Sequence, residues 1–415
     1  MSAELIRAVR DHLPSVLPGR LGVAVSGGSD SLALLSLLQE ICAGSATALM
    51  AVTVDHGLRP GASREAADVA AHCARLNIAH ETLVWSGWDG QGNTQDAARR
   101  ARYGLIAGWA QRESIPAVTL GHTRNDQAET VLMRLARGAG VDGLSAMSAR
   151  REAHGVVWLR PLLGTGRDRL REYLSGKGIV WSEDPSNDDD SYDRIRARRA
   201  LELLSPLGLD PQVLCAVADN MRSARDALDR HLIDKGRDIV AVCAGAVCID
   251  RAGLSSLPAE SRRRLLSGAL RWISGAAYAP RASAVTAFAQ ALEEVGSATL
   301  AGCHARRVKD RLWIFREFRA VAGLETSHDA LWDGRWRLSG PVPPEGATLR
   351  ALGHAGLKDC PARRTAGLPR DLLRASPGLW LGERLLCAPQ AGLQADWQIS
   401  AEGARDAFFA ALLSH

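Results

Sequence analysis

Four groups of residues in the first half of the chain have types and spacings suited to chemistry on a phosphate ester. The first is Ser26-Gly27-Gly28-Ser29-Asp30-Ser31, set between the apolar run Leu21 to Val25 and an amphipathic stretch. Adjacent glycines permit a tight turn whose N–H groups converge on an anion, and the amino end of a following helix adds partial positive charge. The hydroxyls of Ser26, Ser29 and Ser31 can donate to phosphate oxygens, whereas Asp30 cannot serve an anion and is better suited to Mg²⁺. No G-x-x-x-x-G-K-[ST] sequence is present. A loop without that lysine, gripping β and γ phosphates, leaves the α-phosphorus open and pyrophosphate as leaving group. The expected chemistry is therefore adenylation of an acceptor by ATP.

The second group, Val54-Asp55-His56-Gly57-Leu58-Arg59, would deliver His56 and Arg59 to the sheet edge that carries the loop. Both could face the α-phosphate, the alternative being a satisfied histidine in a turn. The third sets Arg99 and Arg102 three residues apart, hence on one helical face, where they hold phosphate or carboxylate or form a solvated face. In the fourth, Asp126 and Glu129 stand at i and i+3 near a helix start. Two such carboxylates can bind an ammonium or a metal and help remove a proton, and N-capping by Asn125 or Asp126 is compatible with that role. Between Arg150 and Arg199 the chain also holds ten arginines and one lysine around the acidic stretch Asp184 to Asp190.

These groups need elements to hold them. Strand-like runs at Leu21 to Val25, Leu49 to Val54, Glu81 to Trp85 and Ala117 to Leu120 alternate with helix-like segments at Ser31 to Cys42, Ala62 to Leu76 and Thr94 to Arg112. Such alternation predicts an α/β fold, a parallel sheet with helices on both faces and a ligand site at the carboxyl ends of its strands. A strand at Val156 to Arg160 and a helix at Arg167 to Leu174 follow, and a first domain over 1–205 is expected. A helical and α+β accessory domain over 206–320 would include helices at Ala259 to Ile273 and Arg281 to Glu294 and a hairpin at Ala298 to Arg316. A small α+β domain over 321–415 would complete the chain.

The 415 residues exceed what one core usually serves. Hydrophobic residues make up 46% and charged residues 23%, too apolar a mixture for disorder. A net charge of +5 does not by itself imply nucleic acid. The eight cysteines form no C-x-x-C pair and none lies between 74 and 214, which argues against sulfur carriage or an iron–sulfur cluster. The amino-terminal stretch has no signal-peptide pattern and no run of 18 apolar residues occurs, so a cytoplasmic protein without membrane attachment is expected.

The loop resembles that of the N-type ATP pyrophosphatase (PP-loop) superfamily. Together with Arg137 to Leu144, Arg160-Pro161-Leu162-Leu163 and Glu183-Asp184-Pro185-Ser186-Asn187, the order and spacing over residues 20 to 205 resemble the tRNA(Ile)-lysidine synthases. Asn125 stands where that family commonly has an aspartate, and Ile195 where it has an asparagine between two arginines. The resemblance implies a Rossmann-like fold, ATP and Mg²⁺ as cofactors with Asp30 on the metal, and a tRNA(Ile) with CAU anticodon and free L-lysine as partners. It further implies ligation of lysine to C2 of the first anticodon cytidine through an adenylated intermediate. Asp126, Glu129, Arg99 and Arg102 would be catalytic, Ser26 to Ser31 with His56 and Arg59 would bind ATP, and Arg194, Arg196 and Arg198 would contact RNA. Oligomeric state stays open, a homodimer being one option. Rival readings are an RNA thiolase, a small-metabolite amide synthetase, and a nucleotide-binding protein without catalysis.

Overall fold

The computed structural model describes residues 2–57, 61–86, 94–183, 193–276, 278–360, 367–401, 403 and 405–413. The chain divides into two compact units, residues 1–226 and 227–414. The first contains α1 (Ser2–Arg10), β1 (Arg20–Ala24), α2 (Ser29–Cys42), β2 (Ala48–Asp55), α3 (Ala62–Arg75), β3 (Ala79–Val84), α4 (Thr94–Arg112) and β4 (Ala117–Leu120). It continues with α5 (Arg124–Leu135), α6 (Val141–Leu144), β5 (Arg150–Ala153), β6 (Val156–Leu159), α7 (Arg167–Gly176), α8 (Asp193–Leu204) and the start of α9 (Pro211–Ile239).

The sheet order is β3-β2-β1-β4-β6-β5, parallel except for β5, which pairs antiparallel with β6. Strand alternation divides the apolar side chains cleanly. Leu21, Val23, Ala51, Ala117 and Leu159 join a core with α1, α2, α3 and α7. Val52, Val118, Leu120, Val156 and Trp158 turn the other way, onto Ile106 and Trp109 of α4. Both faces of the sheet are thus buried under helices, as near-continuous apolar strands require. The extra edge strand β5 was not expected; His154 and Gly155, at φ of 55° and 72°, make a turn that folds it back on β6.

Consecutive strands run outward from β1 in one direction as far as β3, and β4 lies on the other side of β1. That reversal leaves a crevice at the carboxyl ends of β1 and β4. The turn after β4 must come very close to the loop after β1. A Cβ on Gly121 would lie 3.0 Å from Ser31 Cα and 3.1 Å from Asp30 O, so no larger residue fits without moving that backbone. Gly138, Gly140 and Gly143 have dinucleotide-fingerprint spacing, but they follow a helix rather than a strand and carry no such function.

The second unit holds the rest of α9, then β7 (Val240–Cys243), β8 (Ala246–Asp250), α10 (Arg251–Ser256), α11 (Ala259–Ser274) and α12 (Ala282–Glu294). Strands β9 (Ser297–Leu300), β10 (Cys303–Val308) and β11 (Arg311–Arg316) complete a five-stranded sheet of order β7-β8-β11-β10-β9. The expected hairpin at Ala298 to Arg316 is therefore a three-stranded meander, because Ala301 and Gly302, both at positive φ, make a second tight turn. Next come α13 (Phe318–Val321), β12 (Glu325–Ser327), β13 (Trp336–Ser339), β14 (Ala347–Ala351), α14 (Gly353–Lys358) and α15 (Arg370–Ala375). The chain closes with β15 (Pro377–Leu381), β16 (Arg384–Cys387), β17 (Gln398–Ala401) and α16 (Arg405–Leu413). Helix α16 returns Phe408, Phe409 and Leu412 to the core beneath β7 to β11. The Trp332-Asp333-Gly334-Arg335 stretch is structural. Asp333 accepts from Arg316 Nε and Nη2 at 3.0 Å, and Arg335 donates to Gly245 O at 3.2 Å. Among the described residues no single helix is long and apolar enough to cross a membrane.

Replacing Gly121 with alanine forces a Cβ into backbone. The expected outcome is a net loss of about 1–2 kcal/mol, the overpacking cost exceeding the usual ~0.5 kcal/mol gain from a stiffer unfolded chain. A lower urea midpoint checks it, and an unchanged one would show that the loop gives way freely.

Candidate active site

The loop is held in shape by its own atoms. Gly27 takes φ +81°, a conformation that costs glycine little, and Ser182 N donates to its carbonyl at 3.0 Å. Ser31 Oγ accepts from Ser26 N at 3.1 Å and donates to Gly28 O at 3.0 Å, so this hydroxyl fixes the turn. Ser29 Oγ donates to Asp30 Oδ1 at 3.2 Å. Gly28 is the N-cap of α2, and no side chain caps that helix. Its first-turn N–H groups thus suit an anion.

The loop opens on a cleft of about 940 Å³ built wholly from the first unit. Ser26, Gly28, Ser29, Asp30, Ser31, His56, Arg99, Arg102, Asp126, Glu129, Arg194 and Arg198 all line it, so residues read separately from sequence share one space. Arg59 lies outside the described residues, as do Asp184 to Asn187. Arg196 takes another direction, paired with Asp193 and well exposed. The spacing explains the split: Arg194 and Arg198 are one helical turn apart on α8, while Arg196 lies between them on the opposite side.

Each carboxylate in the cleft has a distinct setting. Asp126 completes a capping box on α5, its Oδ2 accepting from Thr123 N at 2.8 Å and Thr123 Oγ1 at 2.9 Å. Burial disfavours its charge, but His122, Arg167 and the Thr123 N–H outweigh it and hold Asp126 below its ordinary value. Glu129 is 1% exposed and pairs with Arg198 Nε at 3.0 Å, while its Oε2 has no partner among the described residues. Burial, reinforced by the charge on Asp126, pushes Glu129 upward despite Arg198. Burial likewise raises Asp30 against the pull of Arg167. Asp126 thus caps α5 while its side chain also lines the cleft.

The opposite wall is cationic. Burial lowers Arg102, and the like charges of Arg99 and Arg194 add to that effect. Such crowding of guanidinium groups suits a bound anion. Tyr103 underlies Arg99 and Arg102 of α4, its ring 5.4 Å from the Arg99 guanidinium and 6.0 Å from that of Arg102. Arg160, itself buried, donates to the Tyr103 hydroxyl at 3.3 Å. His122 is pushed down to about 3, chiefly by burial, and is therefore neutral at physiological pH. His56 is lowered by burial and by Arg102, and packs edge-on to Trp85 at 5.8 Å. The Nδ1 atoms of both histidines lack partners among the described residues.

Sequence reasoning missed His122, Tyr103, Arg160 and above all Arg167. Arg167 Nε contacts Asp30 Oδ2 at 3.0 Å, and its Nη2 lies 3.6 Å from Asp126 Oδ1. One signal was available. Arg167 opens α7, where the helix dipole disfavours a cation, so its reason for being there had to lie elsewhere. Asn125 accepts from Arg167 N at 3.0 Å, a use of this side chain that requires an acceptor oxygen and no second charge.

Among the described residues no group of three or more His, Cys, Asp or Glu side chains could hold a metal ion. Mg²⁺ is commonly held by one or two carboxylates plus substrate phosphates. Asp30, within the anion-binding loop, is placed to share such an ion with a nucleotide's phosphates.

A Gly/Ser loop at the carboxyl end of β1, on a doubly covered parallel sheet, defines a PP-loop ATP-binding domain, and the PP-loop domain family matches residues 1–204. The chain is 49% identical to the tRNA(Ile)-lysidine synthase of Ruegeria pomeroyi, covering 99% of this chain and 98% of that one. It is 34% identical to the enzyme of that name from Rhizobium meliloti, over 90% and 84% of the two chains. Among solved structures, a U34-tRNA thiolase from Methanococcus maripaludis aligns with 54% of this chain and 78% of that one, at 19% identity and a TM-score of 0.47. The chain belongs to the tRNA(Ile)-lysidine synthase family; it is an ATP-using ligase with a tRNA substrate.

The raised Glu129 gives a pH test. Between the ordinary 4.5 and its raised value, the folded chain keeps a proton that the unfolded chain releases. Stability contributed by this group therefore falls as pH rises through that window. The cost of Glu129→Gln, from urea unfolding at several pH values, is expected to be largest near pH ~4 and to shrink above it. A cost that grows with pH would mean that folding favours the carboxylate.

Proposed function

We propose that this enzyme joins the ε-amine of free L-lysine to C2 of the first anticodon cytidine, C34, of a tRNA(Ile) bearing CAU, and that it does so in the cytoplasm. The observation that carries the proposal is the convergence of an anion-binding loop, a cationic wall and two buried carboxylates on one cleft. A pyrimidine C2 oxygen is a very poor leaving group. Transfer of AMP from ATP to that oxygen, with release of pyrophosphate, converts it into a good one. The amine then forms the C–N bond, loses a proton, and AMP departs with the former C2 oxygen.

In this reading the N–H groups of the Ser26 to Ser31 loop hold the pyrophosphate portion, with Ser26 and Ser29 as hydroxyl donors. Arg102, assisted by Arg99, neutralises charge at the α-phosphate. His56 would add a contact to the nucleotide, and we assign Arg59 the same role. Mg²⁺ bound to Asp30 would supply further charge neutralisation to the phosphates. Lysine's ε-ammonium, with an ordinary pKa of about 10.4, must lose its proton before attack. Asp126, kept ionised, attracts the ammonium, and Glu129, raised and with one oxygen unpaired, is suited to take a proton. Arg198 then serves to hold Glu129, while Arg194 and Arg196 are left for RNA phosphates.

A base at an anticodon must be unstacked for such attack, and one tRNA must be chosen among many. We assign that choice to residues 206–320 and 321–415, acting through shape and phosphate contacts, which entails steep salt dependence. An RNA thiolase remains the second reading only if the cysteines take part. Cys42 and Cys73 are buried, and burial raises both thiols, Cys73 to about 11, which disfavours the reactive thiolate.

Incubation with ATP, lysine and an unmodified CAU-bearing transcript is expected to add the mass of lysine less water to the RNA, read by mass spectrometry. No mass gain, with ATP split only to ADP, would overturn the reading. Arg102→Ala is expected to lower kcat about 10²- to 10³-fold, and Asp126→Asn to slow lysine incorporation. Near-normal turnover would remove either residue from the mechanism.

A further inference from the structure

The proposed reaction needs one acidic group beside the phosphates and another beside the amine, yet in this structure both face the same cation. Arg167 Nε is 3.0 Å from Asp30 Oδ2 and its Nη2 is 3.6 Å from Asp126 Oδ1, and all three side chains are less than a fifth exposed. The arginine is held from behind, because its own N–H donates to Asn125 Oδ1 at 3.0 Å. Its guanidinium nonetheless lines the cleft, within the space that a nucleotide would enter.

We propose that Arg167 is an exchangeable internal counter-cation: it closes the Asp30–Asp126 pair in the free enzyme and turns to the phosphates of an incoming nucleotide, opening Asp30 to the divalent cation that travels with them. This rests on the proposed adenylation site and deepens it.

The argument is one of competition among charges. Two carboxylates brought together in a partly buried site require a positive charge between them. Arg167 provides it, and in doing so engages the Asp30 oxygen that a divalent cation would use. A polyphosphate offers a guanidinium a bidentate, more highly charged acceptor. The N–H groups of the loop attract that same polyphosphate, so Arg167 gains a partner as Asp30 loses one. The divalent cation compensates Asp30, and Asp126 keeps its two hydrogen bonds from Thr123 and is opened to the lysine ammonium, which limits the penalty that breaking such a pair would otherwise carry. Metal binding is thereby made conditional on nucleotide. Arg167 is on this account a positioning residue, acting through Asp30 and Asp126.

Mn²⁺ titrations of the full-length protein, followed by electron paramagnetic resonance, test this directly. Wild type is expected to bind Mn²⁺ weakly alone and at least about tenfold more tightly with an α,β-methylene analogue of ATP. Arg167→Gln is expected to bind Mn²⁺ without nucleotide about tenfold more tightly than wild type, and the double variant Asp30→Asn, Arg167→Gln to lose that gain. Equal affinity in wild type and Arg167→Gln, or a gain that persists in the double variant, overturns the exchange. Should Arg167→Gln fail to fold by circular dichroism, Arg167→Lys carries the test. Its single point charge should give a smaller gain, again abolished by Asp30→Asn, and no gain overturns the proposal. The RNA mass measurement separates the two readings. Lysine addition without the Mn²⁺ pattern sinks only the exchange; the Mn²⁺ pattern without lysine addition leaves the exchange and sinks the reaction.

Discussion

The site depends on one close approach of backbone to backbone. The turn after β4 lies so near the start of α2 that a single Cβ at Gly121 would meet Ser31 and Asp30 at about 3 Å. That spacing brings the end of one strand, which carries the anion-binding loop, beside the end of its neighbour, which carries His122, Asp126 and Glu129. Parallel pairing of β1 with both β2 and β4 sets the alignment, and the apolar cores on the two sheet faces keep it. Loops after strands β1 and β4 can share a ligand because the chain reverses its winding direction between them.

Within that frame, charge is managed by pairing. Ionised groups in a partly buried cleft are costly unless each has an opposite charge and satisfied hydrogen bonds. Asp30 and Asp126 share Arg167, and Glu129 has Arg198. The balance is uneven, and that unevenness is chemically useful. Asp126, hydrogen-bonded by Thr123 and facing Arg167, stays charged, whereas Glu129, almost wholly buried and next to Asp126, holds a proton more readily. Two carboxylates three residues apart on one helix thus differ in proton affinity because of what packs against them. On the other wall, arginines gather with Tyr103 beneath them, an arrangement that favours an anion over any internal partner.

Much of this was legible from residue order. The four strands and three helices expected between residues 21 and 120 lie within about two residues of their predicted positions, because each carries a strong local signature of apolar periodicity and glycine punctuation, whereas α1 was not anticipated. The loop from Ser26 to Ser31 could be read because its function resides in backbone conformation, which two glycines and a helix start specify locally. The edge strand β5 and the meander at residues 297–316 were less legible, since their tight turns rely on His154 and Ala301 at positive φ, which composition does not announce. The use of the Trp332 to Arg335 stretch in anchoring Arg316 became clear only from contacts.

What the sequence by itself determined is the chemistry available: an adenylating loop, a pair of carboxylates, a set of arginines, and the α/β scaffold that presents them. The tertiary structure alone decided which charges meet. Arg167 is 137 residues from Asp30, and Arg198 is 69 from Glu129. Local periodicity has no information about such pairs. They are chosen by which helix ends the folded sheet brings to one crevice, and by the need of each buried charge for a counter-charge wherever the chain can supply one.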